Sequence, residues 1–156
     1  MDDFDQYYTM SRRFDMQTSA RNQFLGTVSA VKKGAVNAEV ILDIGNGAEL
    51  AAIITNDSAD HLALEVGSEA YALVKAQWII LTVETNFKTS ARNSLTGTVV
   101  RCQEGAVNAE VVIELPGGKT VASIITNESV KTLGLKEGLR ATAMIKASHI
   151  ILAVPA

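Results

Sequence analysis

The sequence predicts an all-β protein built from two tandem copies of one small barrel, and two observations carry that prediction. First, the 156-residue chain repeats itself: residues 19–83 align without a gap on residues 90–154, and "SARN" and "GAVNAEV" recur letter for letter. Second, apolar and polar residues alternate inside each copy, which is the period of half-buried strands. Two copies are too few for a solenoid, so the repeat indicates duplication of one domain.

The repeat also predicts the domain organisation. We expect residues 1–18 to form an N-terminal leader of unknown fold, residues 19–83 the first domain, residues 84–89 a linker and residues 90–156 the second domain. A domain this small buries little surface when alone, so we expect partner surfaces to complete its core.

Each copy is predicted to contain five strands and one short helix. In "NAEVILDI" the apolar residues Ala38, Val40, Leu42 and Ile44 point to one side. The turns "GNG" and "PGG" lead into the strands "AELAAIIT" and "KTVASIIT", as in hairpins. The segments "TNDSADHLAL" and "TNESVKTLGL" carry the helical signal, and "WIILTV" and "HIILAV" are expected to close each copy. The count indicates five-stranded Greek-key barrels of OB type.

Composition and charge exclude several classes of protein. The net charge is −3, with charges scattered along the chain, so no basic stripe for nucleic acid is visible. No apolar stretch reaches the length of a membrane span, and the start "MDDFDQYY" is unlike a signal peptide. The single cysteine, Cys102, excludes an internal disulfide and is compatible with a reducing compartment. We therefore expect a cytoplasmic protein with no membrane partner.

Polar residues recur in both copies at positions where a core strand does not need them. "SARN" precedes an apolar strand in each copy. The segments "VKA" and "IKA" place Lys75 and Lys146 at the end of another apolar strand. Thr55 and Ser58 stand where the helix of the first copy begins. Each has an ordinary structural explanation: an ion pair for Arg21, an exposed strand end for Lys75 and helix capping for Thr55. Together, however, a guanidinium, an ammonium, hydroxyls and a helix N-terminus suit a small, multiply charged oxyanion. The phosphate-loop pattern GxxxxGK[ST] is absent, so a nucleotide is not indicated.

These motifs closely resemble those of the molbindins, the Mop-domain proteins that bind molybdate. The resemblance covers residues 18–83 and 89–156, and it is carried by "TSARNQFLGTVSAVKKGAVNAEVIL", "TN-[DE]-S" and "[VI]KA". It points to the two-domain form that binds molybdenum-pterin or stores molybdate. It implies a homotrimer with oxyanions at domain and subunit interfaces, a role in molybdenum storage and homeostasis, and tungstate as a competitor.

The resemblance implies two kinds of molybdate site. The residues implied for the interface sites are Ser19, Arg21, Thr55, Ser58, Lys75 and Ala76, with their copies Ser90, Arg92, Thr126, Ser129, Lys146 and Ala147. The residues implied for sites near the threefold axis are Gly34, Ala35, Val36 and Asn37, with Gly105, Ala106, Val107 and Asn108. Small residues in these "GAVN" loops expose backbone N–H groups, much as an anion nest does. Gln77 stands where the second copy has Ser148, so we expect the two copies to differ in affinity.

Selection among anions is expected to follow from a site lined only with hydrogen-bond donors. Molybdate is fully ionised at neutral pH, whereas phosphate carries an O–H that would go unpaired at a cost of about 1–3 kcal/mol when buried. Sulfate has the right charge and would be excluded by size, while tungstate matches in both respects.

Two alternatives belong to other functional classes. An OB-type module that binds a nucleic acid or an oligosaccharide would need a basic groove with stacking aromatics, whereas aromatic residues are 5% of this chain. An enzyme is disfavoured because the histidines, His61 and His149, do not recur in the other copy. No nucleophile–base pair and no set of metal ligands recurs either.

Overall fold

The computed structural model describes residues 16–156 as two five-stranded antiparallel sheets, which confirms the predicted all-β class with tandem barrels. Most of the expected leader, residues 1–15, lies outside the described residues. The first repeat contains β1 (Asn22–Lys33), β2 (Asn37–Gly45), β3 (Ala48–Thr55), α1 (Asn56–His61), β4 (Glu69–Val74), a 3-10 turn (Ala76–Trp78) and β5 (Ile80–Thr82). The second contains β6 (Asn93–Glu104), β7 (Asn108–Glu114), β8 (Thr120–Thr126), α2 (Asn127–Leu133), β9 (Arg140–Ile145), a 3-10 turn (Ala147–His149) and β10 (Ile151–Ala153).

The alternation read from the sequence decides which side of each strand is buried. On β2 the four apolar residues predicted to share a face, Ala38, Val40, Leu42 and Ile44, are all at most 2% exposed. The following turn contains Asn46 in the left-handed region, with φ 55°, as a tight turn between antiparallel strands requires. The predicted strand, turn and strand are therefore confirmed here, and β6, β7 and β8 repeat the arrangement.

The last strand of each repeat joins the sheet of the other repeat. The strand orders are β10-β4-β1-β2-β3 and β5-β9-β6-β7-β8, so β5 lies beside β9 and β10 lies beside β4. The expectation that "WIILTV" and "HIILAV" would each close their own copy is therefore wrong. The two repeats share one apolar core as a result, and it contains buried residues of both.

Two buried asparagines hold the repeats together. The Asn93 side chain accepts a hydrogen bond from Ala51 N at 2.7 Å and donates to Ala51 O at 2.8 Å. Asn22 makes the same pair of bonds to Ala122 of the second repeat, at 2.7 and 2.9 Å. Both asparagines are 2% exposed. β3 and β8 are edge strands of their sheets. Each asparagine amide therefore makes, with one peptide unit of such a strand, the pair of hydrogen bonds that a neighbouring strand would otherwise make.

Replacing Asn93 by alanine is expected to lower the free energy of unfolding by about 1–3 kcal/mol, because the buried Ala51 peptide would lose both hydrogen bonds. Ser94→Ala is the control, since Ser94 is the exposed neighbour on the same strand. Urea denaturation at one fixed protein concentration measures the effect. Equal stabilities for the two variants would show that Asn93 does not hold the repeats together.

Candidate functional site

The two "SARN" arginines reach from one repeat to the other. The Arg92 guanidinium donates to Glu39 Oε2 over 2.6 Å, and Arg21 forms the corresponding ion pair with Glu110. The buried asparagine that follows each arginine places it against the neighbouring repeat. Both arginine side chains are about half exposed, 54% for Arg21 and 47% for Arg92. The ion pair considered above as a structural explanation for Arg21 is therefore present, and an incoming anion has access to both guanidinium groups.

The Arg92 ion pair is charged on both sides at neutral pH. The hydrogen bond from Arg92, followed by the charges of Arg92 and Lys32, outweighs burial and lowers the pKa of Glu39 below its ordinary value. The Glu39 carboxylate in turn raises the pKa of Arg92. The stabilisation from Glu39 is therefore complete above the unfolded-state pKa of a glutamate and is lost as the pH falls through the lower folded-state pKa.

Arg21 lies in an open cleft of about 480 Å³ that both repeats line. The first repeat contributes Arg21 and Gln77, and the second contributes Gly105 and Asn108 of its "GAVN" loop. The cleft also contains Arg101, whose Nε lies 3.4 Å from Glu110 Oε1. Residues implied for both kinds of site thus meet here within one chain.

The helix-start hydroxyls act as caps. Thr55 Oγ1 accepts from the Ser58 N–H at 3.0 Å and donates to Ser58 Oγ at 2.9 Å, and Thr126 and Ser129 repeat both bonds at the same distances. All four residues except Ser129 are exposed, and Ser129 is half-buried. The Ser58 hydroxyl proton has no acceptor among the described residues, so the cap leaves a donor facing outward.

Each "GAVN" loop is held by the first residue of the following helix. Asn56 Nδ2 donates to Gly34 O at 3.0 Å, and its backbone N–H donates to Val36 O at 2.9 Å. Asn127 makes the same bonds in the second repeat. The Gly34 N–H is already bonded to Asn37 O, at 2.7 Å, so the nest-like donors are the N–H groups that follow it. Asn56 and Asn127 are not among the site residues predicted from the sequence, although "TN" recurs in both copies.

The remaining residues predicted for the interface sites lie next to the ends of strands. Ser19 and Ser90 are exposed just before the first strand of each repeat. Lys75 precedes a 3-10 turn that packs against β8 of the other repeat, and its Nζ lies 5.6 Å from the Trp78 ring centroid. Ala76 and Ala147 are buried, whereas both lysines are exposed. No hydrogen bond within residues 16–156 joins Arg21 to Thr55, Ser58 or Lys75.

Across the part of the chain that the structure describes, no three His, Cys, Asp or Glu side chains come together to hold a cation. Among the helices of residues 16–156, none is long and apolar enough to cross a membrane.

The sequence model of the TOBE domain family matches the chain twice, over residues 18–81 and 89–152. The chain belongs to the TOBE family. This match confirms the predicted resemblance to tandem Mop-type domains. The TOBE chain is 43% identical over 152 residues to the molybdenum transport protein ModE of Azotobacter vinelandii, which is 97% of this chain and 56% of that protein. It is 44% identical over 141 residues to the molybdenum-pterin-binding protein MopA of Rhodobacter capsulatus, which is 90% of this chain and 53% of that one.

A solved structure resembles the TOBE chain along most of its length. The cytoplasmic molybdate-binding protein ModG, crystallised with molybdate bound, is 53% identical with a TM-score of 0.87. The match covers 90% of this chain and 100% of that chain. By contrast, this chain spans about half the length of the curated relatives it matches, and some ModE proteins among them are named transcriptional regulators.

Proposed function

We propose that this TOBE protein binds molybdate in the cytoplasm and serves molybdenum storage and homeostasis, without catalysis and without a nucleic-acid partner. The observation that carries the proposal is the match to molybdate-bound ModG over that protein's full length. The chain's own geometry agrees with an anion site, because both repeats present an accessible guanidinium beside donors from the other repeat. Tungstate, which has the same charge and shape, would compete.

We propose that the interface sites are completed by neighbouring subunits. Within one chain Arg21 meets the "GAVN" loop of the other repeat, whereas Thr55, Ser58 and Lys75 make no bond to it. A second subunit would bring the hydroxyl and ammonium donors, together with their copies, against Arg21 and Arg92. The loop tips support further contacts near a threefold axis, because Val36 is 70% and Val107 is 71% exposed.

Binding at such a site would rest on charge-assisted hydrogen bonds. A guanidinium offers a planar fork to two oxygens of a tetrahedral dianion, whereas lysine offers a point charge. Hydroxyl and backbone N–H donors would meet the remaining oxygens, and burial between subunits would strengthen each bond relative to water. A subunit interface would thus convert groups that are exposed in one chain into an enclosed site.

Native mass spectrometry combined with molybdenum analysis tests the proposal. After molybdate loading and removal of free anion, the protein should retain molybdenum, and the mass of the assembly should give the number of anions in each. Protein loaded with sulfate under identical conditions is the control. Loss of all molybdenum during desalting, together with no heat of binding in calorimetry, would contradict the proposed function.

The assembly itself is a separate prediction. We expect light scattering to give three times the 16.6 kDa chain mass, the homotrimer that the family resemblance implies. Association is favoured because each chain leaves apolar side chains such as Val36, Val107 and Ile80 exposed. The mass should be measured with and without molybdate, at several protein concentrations. A monomer under every condition would contradict both the trimer and the interface sites.

A further inference from the structure

Each proposed anion site contains a carboxylate as well as an arginine. Glu39 on β2 and Glu110 on β7 occupy the same position of the two repeats, and their side chains are only 31% and 20% exposed. A carboxylate hydrogen-bonded to the arginine occupies part of the donor fork that an oxyanion would use. An oxyanion arriving beside it would also be repelled, because like charges at close range destabilise each other. Displacement of the glutamate would therefore free the whole guanidinium for the anion and remove this repulsion.

The two glutamates differ in the cations that are left to pair with them once an oxyanion has displaced them from Arg21 or Arg92. Glu110 has a second guanidinium at hand, since Arg101 Nε lies 3.4 Å from its Oε1. Ala30 stands at the position of Arg101 in the first repeat, and the second cation near Glu39 is Lys32, its cross-strand partner. Lys32 does not come within ion-pair distance of Glu39. Within the described residues, Arg92 is therefore the one ion-pair partner of Glu39.

We propose that Arg101 is a positioning residue that holds Glu110 aside when an oxyanion displaces it from Arg21, so that the Arg21 site binds oxyanions more tightly than the Arg92 site. This inference rests on the proposed function. At the first site Arg21 passes from Glu110 to the anion, and Glu110 keeps its ion pair with Arg101. At the second site the anion separates Glu39 from Arg92, and the carboxylate is left without a guanidinium.

A cycle of variants separates this exchange from a direct contact between Arg101 and the anion. Molybdate binding is measured by calorimetry in an Arg92→Ala background, which isolates the Arg21 site from its copy. Arg101→Ala should weaken binding about two- to fivefold, the range for one accessible ion pair. Glu110→Gln should tighten binding by a similar factor because the competing carboxylate is gone. Arg101→Ala added to Glu110→Gln should then have no further effect.

Matched controls come from the first repeat. In an Arg21→Ala background, Glu39→Gln should tighten molybdate binding at the Arg92 site, whereas Lys32→Ala should change it less than Arg101→Ala changes the Arg21 site. A different result would be that Arg101→Ala lowers molybdate affinity by the same factor in the presence and in the absence of the Glu110→Gln substitution. That result would mean that Arg101 contacts the anion directly, which overturns the positioning role. Unchanged affinities in all variants, while the parent protein binds molybdate, would overturn the inference alone. A parent protein that releases no heat with molybdate would instead contradict the proposed function.

Discussion

Replacing Arg21 and Arg92 together by alanine is expected to abolish molybdate binding at the interface sites while the protein stays folded. Hydrogen bonds to charged groups contribute about 1.5–3 kcal/mol each, so losing a forked pair at each site should lower affinity by about 100-fold or more. The fold should survive because both arginine side chains are about half exposed and lie outside the shared apolar core. Their partners Glu110 and Glu39 are 20% and 31% exposed, so each carboxylate keeps contact with water when its arginine is removed.

Calorimetry with molybdate measures this loss, and circular dichroism with urea denaturation verifies folding. Arg140→Ala is the control for net charge, because Arg140 is an exposed arginine on β9 that makes none of the ion pairs described above. Arg21→Lys combined with Arg92→Lys should bind with intermediate affinity, since the charge remains but the fork is lost. Unchanged stoichiometry and affinity in the double alanine variant would refute the assignment of both arginines.

The strand pattern could be predicted from the sequence because burial has a period of two. Ala38, Val40, Leu42 and Ile44 alternate with polar or less buried residues, and that alternation alone decides which face of β2 is buried. The destination of the closing strands could not be predicted in this way. β4 and β9 are copies of each other, as are β5 and β10, so each closing strand matches either edge equally well.

Comparison of the two repeats predicts only part of the site. "SARN" recurs as a whole, but Arg21 is accessible and paired with a carboxylate, whereas Asn22 is buried and bonded to the Ala122 peptide. A polar residue at a strand entrance suits either role, and only the opposite repeat decides between them. The same comparison does not point to Arg101, because Ala30 stands at its position in the first repeat and the residue therefore does not recur.

The glutamates change the expected basis of anion selection. The sequence predicted a site lined only with donors, yet Glu110 is an acceptor in contact with Arg21. An acceptor that stayed in the site would pair with the proton of phosphate and would remove the penalty that excludes it. Displacement of Glu110 toward Arg101 would restore a donor-lined site around the anion. Discrimination against phosphate is therefore a test of whether the carboxylate leaves.

Thermal stabilisation by different oxyanions should rank tungstate and molybdate together, sulfate far below them and phosphate last near neutral pH. Tungstate and molybdate are tetrahedral dianions of similar size, whereas the shorter bonds of sulfate would leave some donors unsatisfied. A ligand at 100 times its Kd adds about 2.7 kcal/mol to the free energy of unfolding, so shifts in melting temperature at equal anion concentration report the ranking. Phosphate should stabilise somewhat more as the pH rises and its last proton leaves.

The Glu110→Gln variant is the internal comparison for this ranking. Glutamine keeps the size of the side chain and an acceptor oxygen but removes the negative charge, so all dianions should stabilise the variant more than the parent protein. The order tungstate and molybdate, then sulfate, then phosphate should be preserved if the side chain moves aside in both proteins. Phosphate or sulfate stabilising the parent protein as strongly as molybdate would mean a general anion site with the carboxylate still in place. Such a result would contradict molybdate as the specific ligand, whatever the affinity of the site.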